Sequence, residues 1–210
     1  KIKNIKLFAG KPLISYVIRI AKKSKLFSRV IVSTDSKKIA DIAKKNGAEV
    51  PFLRNKKLSD DYTGTTEVLL DCIHKNNSTN VKYHFLIYPT APLIDGKDLI
   101  KAFRIIKKKN FDLLVAMSNY NASPFIACEK IKNDIVKFYW PKYAIKRSQD
   151  LPNLIHDTGT FYIYRTKTLL ISKKIMPKKT THYLLHKLKS VDINTIEDFE
   201  FAEFLYKFNN

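Results

Sequence analysis

Five polar clusters hold the side chains able to do chemistry in this chain: Ser33-Thr34-Asp35, residues 54–66, Pro89-Thr90-Ala91-Pro92, residues 147–159, and Asp192-Ile193-Asn194. Their carboxylates, hydroxyls, carboxamides and two arginines, Arg54 and Arg147, suit the hydrogen-bonding of a polar or anionic ligand. They sit at predicted strand ends, where open α/β sheets receive their ligands. Other chemistries lack their residues. The five glycines (Gly10, Gly47, Gly64, Gly96, Gly159) stand far apart, so neither a G-x-G-x-x-G turn nor a Walker A loop is present. Cys72 and Cys128 have no metal-ligand spacing with any histidine. His182 and His186 are four apart, but Tyr183 stands where a zinc protease needs glutamate. No serine occupies a G-x-S-x-G elbow. Dinucleotide oxidoreductase, P-loop kinase and serine hydrolase readings all lose support.

The elements that must position these clusters alternate between strand and helix. Pro12, at a first-turn position, opens a helical pattern with Ile14, Val17, Ile18 and Ala21 apolar. Residues 29–33 form a short apolar run of the buried parallel-strand kind. Asp35 or Ser36 can cap a helix through Ile39, Ile42 and Ala43, closed by Gly47. Residues 49–53 read as a strand and 65–76 as a helix; 84–88 read as the clearest central strand, 95–109 as a helix and 113–116 as a strand. This rhythm predicts a mostly parallel sheet with helices on both faces. It breaks between Ala122 and Leu154. There, residues 126–129 and 135–140 read as antiparallel strands about an Asn133-Asp134 turn, making 122–154 an inserted arm. Residues 160–164 resume the sheet, 190–193 read as a last strand, and Thr195 with Asp198 forms a capping box for a helix ending at Phe208. The expected fold is a single α/β domain over residues 1–210, a three-layer α/β/α Rossmann-like sandwich.

Composition narrows the setting. Hydrophobic residues at 45% suffice for a core, which excludes disorder. No run approaches the roughly 18 apolar residues of a membrane helix, so no membrane partner is expected. The two cysteines fit a reduced, cytoplasmic location, and the lysine-dotted N-terminus does not read as a signal peptide. The chain starts at Lys1 rather than methionine, so it is expected to lack its native start. A net charge of +20 raises a nucleic-acid reading, yet only six of the 39 basic residues are arginines. The lysines run in pairs and triplets along predicted helices, as a solvated coat does, and no nucleic-acid partner is expected.

Several phrases resemble the cytidylyltransferases that activate nonulosonic (sialic-acid-like) acids. They are Lys3-Asn4-Ile5 with Gly10-Lys11-Pro12-Leu13-Ile14, Val30 to Asp35, Ala48-Glu49-Val50, Leu58-Ser59-Asp60-Asp61 and Tyr88-Pro89-Thr90-Ala91-Pro92. The stretch Phe138-Tyr139-Trp140-Pro141 through Arg147-Ser148-Gln149-Asp150-Leu151-Pro152 to His156-Asp157-Thr158-Gly159 is similar to the pseudaminic acid branch. The family's N-terminal strand and basic glycine loop are not in this sequence. A chain beginning at Lys1 is therefore expected to bind CTP poorly and to aggregate. The family's closing D-I-D reads here as Asp192-Ile193-Asn194, with a neutral ligand in the second place.

The resemblance implies a nucleotidyltransferase sandwich that moves CMP from CTP to the anomeric hydroxyl of a nonulosonic acid and releases pyrophosphate. It implies Lys3 and Asp192 as catalytic residues. Lys3, Asn4, Arg54 and Thr65 would hold the nucleotide, and Arg147, Gln149, His156 and Asp157 the acidic nine-carbon sugar. Asp192 and Asn194 would bind Mg2+, and a homodimer would form through the 122–154 arm. Bland readings stand beside these: a surface ion pair of Arg54 with Asp60 or Asp61, a polar network bracing the arm, or a strand-end cap at Asp192. CMP-N-acetylneuraminic or legionaminic acid synthesis is the alternative substrate reading. A catalytically weakened sugar-nucleotide-binding protein is the alternative of another class.

Overall fold

The computed structural model describes residues 3–60, 62–172 and 176–209; Lys1 and Asp61, named above, lie outside them. β1 (Leu7–Phe8) and β2 (Lys11–Pro12) pair antiparallel and lead into α1 (Leu13–Ser24), with Pro12 at the cap where its fixed φ suits helix entry. The Ser36 hydroxyl accepts from the Ile39 amide to start α2 (Lys37–Lys45), and Gly47, at φ +84°, makes the left-handed turn beyond its end. Then follow α3 (Thr65–Lys75), β3 (Tyr83–Ile87), α4 (Gly96–Lys109) and β4 (Leu113–Asn119). The arm carries β5 (Cys128–Lys130), β6 (Val136–Phe138) and α5 (Pro141–Ala144). The chain closes with β7 (Ile155–Arg165), α6 (Thr166–Ser172), β8 (Thr180–Leu184) and α7 (Ile196–Phe208).

The central ladder runs β3-β7-β4-β8. β4 and β8 are parallel, while β7 is antiparallel to both β3 and β4. Thus β3, β4 and β8 share one direction, as the expected parallel sheet requires, and β7 runs against them to make the sheet mixed. Packing partners alternate along β4 and β7 and assign the layers. Leu114, Ala116, Phe161 and Ile163 pack with Val17 of α1 and Leu99, Ala102 and Ile106 of α4. Leu113, Val115 and Tyr164 pack with Leu69 and Ile73 of α3 and Leu169 of α6. Helices therefore cover both faces, which is the three-layer sandwich. Each large side chain fully buried this way contributes roughly 1.5–3 kcal/mol.

Three local expectations change. Of residues 84–88, the first four lie in β3, at an edge of the four-stranded ladder rather than at its centre, and all five β3 residues are only half-buried. Residues 29–33 and 49–53 contribute a single parallel bridge, Ile31 to Glu49. Residues 190–193 are not a strand; the edge position belongs to β8, whose Thr-Thr-His-Tyr-Leu run lacks an apolar alternation. The arm hairpin forms as read, with Asn133 and Asp134 both at positive φ in its turn. Among the described residues no helix is long and apolar enough to cross a membrane.

His84 on β3 is held by Thr166 Oγ1 at 2.8 Å and Ser78 Oγ at 3.1 Å, and burial lowers its pKa. The folded state disfavours the imidazolium, so the unfolded chain binds the extra proton. The stability His84 adds is complete above the ordinary value of about 6.5 and is lost as pH falls below it. Melting temperatures taken from pH 7.5 to pH 5 should fall less steeply for His84→Gln than for the parent; equal slopes would remove His84 from the pH response.

Candidate active site

The site is organised by a break in the β4–β7 ladder. Val115 faces Tyr162 and Met117 faces Asp157, so Ala116 alone stands opposite residues 158–161. Gly159 lies inside this bulge at φ +58°, a conformation that costs a side-chain-bearing residue about 1 kcal/mol or more. Bulges of this kind bend a strand and re-aim its side chains. The Thr158 hydroxyl donates to the Ala116 carbonyl at 2.8 Å and pairs with Thr160 at 2.8 Å, satisfying the buried hydroxyls. Asp157 is thereby brought out to solvent with both oxygens engaged. Oδ1 accepts from the Gly159 amide at 2.9 Å and Oδ2 from the Tyr162 hydroxyl at 2.6 Å.

Tyr88 collects the neighbouring groups. Its amide donates to the Thr160 carbonyl at 2.9 Å, tying the end of β3 to the bulge. Burial pushes its phenol up, a hydrogen bond with Thr65 pulls it back, and the charges of Asp157 and Asp192 both raise it. A hydrogen bond with Thr65 and the charges of Asp157 and Asp192, three of the residues singled out from sequence, thus all bear on one phenol. Burial and then Asp157 push Tyr162 far above the usual phenol range.

Lys3, in the one-turn segment Lys3–Ile5, donates its ammonium to the Ile193 carbonyl, between Asp192 and Asn194. Residues 190 apart in sequence thus meet, and Asn4 lies half-buried beside them. The Asn194 carboxamide donates to Asp192 Oδ2 at 2.8 Å. The Asn194 and Thr195 amides donate to Asp198 at 3.0 and 2.8 Å, and these backbone bonds lower the Asp198 pKa. Asp192 Oδ1 and the Asn194 carbonyl oxygen take no part in these bonds, and both are hard donors of the sort Mg2+ accepts.

Arg54 donates from Nε to Ser59 Oγ at 3.0 Å and more distantly to the Ser33 carbonyl at 3.5 Å. The ion pair with Asp60 considered from sequence does not form. Asp60 instead accepts from the Thr63 hydroxyl and the Tyr62 and Thr63 amides, closing its own loop. Ser33 Oγ is enclosed without a hydrogen-bond partner among the described residues, a polar group of the kind a bound ligand satisfies.

The arm holds the remaining candidates. Arg147 is exposed and directs its fork to Asp150, at 2.7 and 3.2 Å. That local pair would have to open before Arg147 could take a sugar carboxylate. Gln149 lines a cavity of about 340 Å³ with Asn119, Tyr120 and Asn153. His156 packs tilted against Tyr120, ring centroids 4.8 Å apart, with Nδ1 2.9 Å from the Asp157 carbonyl. Tyr162 and Asn119 escaped the sequence reading. The Tyr162–Tyr164 alternation on β7 was the available signal for the first, since a core-facing strand has little reason to repeat phenols on one face.

The cytidylyltransferase family matches residues 1–209. The chain is 37% identical over 210 residues to a pseudaminic acid cytidylyltransferase of Campylobacter jejuni, covering 99% of this chain and 90% of that one. It is 31% identical over 218 residues to a CMP-N,N'-diacetyllegionaminic acid synthase of Legionella pneumophila, covering 99% and 90%. The fold is similar to that of a CMP:2-keto-3-deoxy-manno-octonic acid synthetase complexed with CTP, with a TM-score of 0.72 at 14% identity over 99% of this chain and 92% of that one.

Proposed function

The chain belongs to the cytidylyltransferase family, and on that premise we propose that it transfers CMP from CTP to the anomeric hydroxyl of pseudaminic acid, releasing pyrophosphate. What carries the reading is identity of 35–37% over 99% of this chain with relatives bearing that name, supported by the Asp157 carboxylate held at the β7 bulge by Gly159 and Tyr162. A reaction that consumes CTP fits a cytoplasmic enzyme.

The residues divide the work by chemistry. Attack on the α-phosphorus with an in-line leaving group asks the protein for positioning and charge neutralisation more than for covalent steps. Lys3 is held at the Asp192-Ile193-Asn194 corner, where its ammonium serves as charge partner to the triphosphate, with Asn4 beside it. Asp192 and Asn194 would hold Mg2+, which when bound neutralises phosphate charge. Arg54, held by Ser59, presents donors that suit the O2 and N3 acceptors of cytosine and mispair with the N3–H of uracil. Thr65 stands at the start of α3, where the helix N-terminus favours negative charge. Asp157 and Gln149 suit the hydroxyl and acylamino groups of the sugar, His156 lines the same edge, and Arg147 suits its carboxylate.

The arm supports a homodimer. Val136, Phe138, Tyr139 and Trp140 are exposed on it, and aromatic residues of this kind anchor subunit interfaces. A second reading, a weakened sugar-nucleotide binder, is favoured by Asn194, which brings an amide where a second carboxylate would bring charge.

Pyrophosphate release from CTP with pseudaminic, legionaminic and N-acetylneuraminic acids tests the proposal. Release is expected to be fastest with pseudaminic acid, whereas nucleotide binding without release would favour the second reading. Asp192→Ala should lower turnover by orders of magnitude in a folded protein; ordinary turnover would remove Asp192 from the site. Arg54→Ala should raise the KM for CTP and blunt its preference over UTP, and an unchanged preference would return Arg54 to a structural role. Light scattering should show a dimer that Trp140→Lys dissociates; a parent that is monomeric at micromolar concentration would end the arm proposal.

A further inference from the structure

We propose that Tyr162 is a positioning residue. Its hydroxyl fixes the Asp157 carboxylate as a pre-aimed acceptor for a hydroxyl or acylamino N–H of the sugar, and its ring braces the nucleotide side through Tyr88. This rests on reading Asp157 as a sugar contact. An exposed aspartate ordinarily turns freely, and fixing it on binding costs rotamer entropy. Here the two oxygens are pinned before any ligand arrives, Oδ1 by the Gly159 amide at 2.9 Å and Oδ2 by Tyr162 at 2.6 Å. Each oxygen keeps a second lone-pair direction, so Asp157 can still accept from a substrate. It cannot welcome an anion, and the sugar carboxylate must therefore point away from it.

Tyr162 is suited to the task because its ring cannot swing. It sits in the ladder opposite both Val115 and Leu86, stacks against Tyr164 at 6.4 Å and tilts against Tyr88 at 5.9 Å. Burial and the Asp157 charge keep its proton on at any working pH, so it remains a donor. The Tyr88 amide bonds the same bulge through Thr160. One bulge therefore ties the end of β3, where Tyr88 stands, to the carboxylate that meets the sugar.

The test is steady-state kinetics with CTP and pseudaminic acid on the full chain, comparing Tyr162→Phe, Tyr164→Phe, Asp157→Asn and the 162/157 double variant. Tyr162→Phe keeps the buried ring and should raise the KM for the sugar about tenfold, with the KM for CTP within twofold of the parent. Tyr164→Phe, which removes a hydroxyl from the same face, should leave the sugar KM unchanged. In the Asp157→Asn background, removing the Tyr162 hydroxyl should add nothing. If Asp157→Asn raises the sugar KM and Tyr162→Phe does not, the positioning role is overturned while the sugar-contact reading stands. Equal rises in both KM values, or additive effects in the double variant, would also overturn it by showing a general structural loss. If neither variant moves the sugar KM, the reading of Asp157 itself falls.

Discussion

The register of β7 is the constraint on which the rest depends. This strand is paired on both sides and buried on both faces, so its residues are sorted twice. Phe161 and Ile163 enter the α1/α4 layer, and Tyr162 and Tyr164 face the α3/α6 layer. A slip of one residue would drive two phenol hydroxyls into the α1/α4 apolar layer and move Phe161 into the α3/α6 layer, which the packing cannot absorb. The bulge interrupts that register between Val115 and Met117, and polar chemistry gathers there. Thr158, Gly159 and Thr160 satisfy their own backbone and hydroxyl groups locally, which lets Asp157 leave the ladder without orphaning its neighbours.

Charge is used sparingly despite its abundance. Most ion pairs are exposed, such as Lys130 with Asp134 and Lys137 with Glu129, and exposed pairs contribute about 1 kcal/mol at most. The half-buried Lys189 is different. Burial pushes its pKa down, but bonds to Asp95 and Asp98, both 2.8 Å, outweigh this and leave it raised. Asp98 also accepts from Tyr183 at 2.9 Å and completes the α4 capping box with Asp95. One lysine thus fastens the segment after β8 to the start of α4. Lysines such as Lys23, Lys44, Lys45, Lys107 and Lys108 are exposed, as the solvated coat suggested by the sparse arginines requires.

Helices were readable because each carries its own start signal and apolar period: Ser36 for α2, Asp95 for α4, Thr195 for α7. Strand order was not readable, because which strand lies next to which is decided by long-range packing. The apolar run at residues 84–88 looks central, yet in the ladder it is an edge. The plain Thr180–Leu184 segment gives no pattern at all and still pairs in parallel with β4. Of the site, Lys3, Arg54, Thr65, Asp157, Asp192 and Asn194 were reached through family phrases rather than through spacing. Tyr162 was passed over because a tyrosine on a strand ordinarily reads as core, and only the 2.6 Å bond to Asp157 distinguishes it. The Arg147–Asp150 pair was likewise hidden, since three-residue spacing becomes a contact only where the chain turns.

The meeting of the chain's two ends sets a schedule for its synthesis. Phe8, Leu13 and Tyr16 are buried against Ile193, Phe199 and Ala202, and Phe8 meets Tyr16, Phe199 and Tyr206 edge-to-face. Those first aromatics leave the ribosome nearly two hundred residues before their partners. At translation rates of about 5–20 residues per second they wait on the order of 10–40 s with their apolar faces uncovered. Lys3 reaches the Ile193 carbonyl only when that wait is over. The corner formed by Lys3 and Asp192-Ile193-Asn194 is therefore among the last parts of the molecule to exist. A chain cut short before α7 carries every strand but lacks Phe199, Ala202 and Tyr206, and so presents an N-terminal aromatic cluster that a chaperone would have to cover.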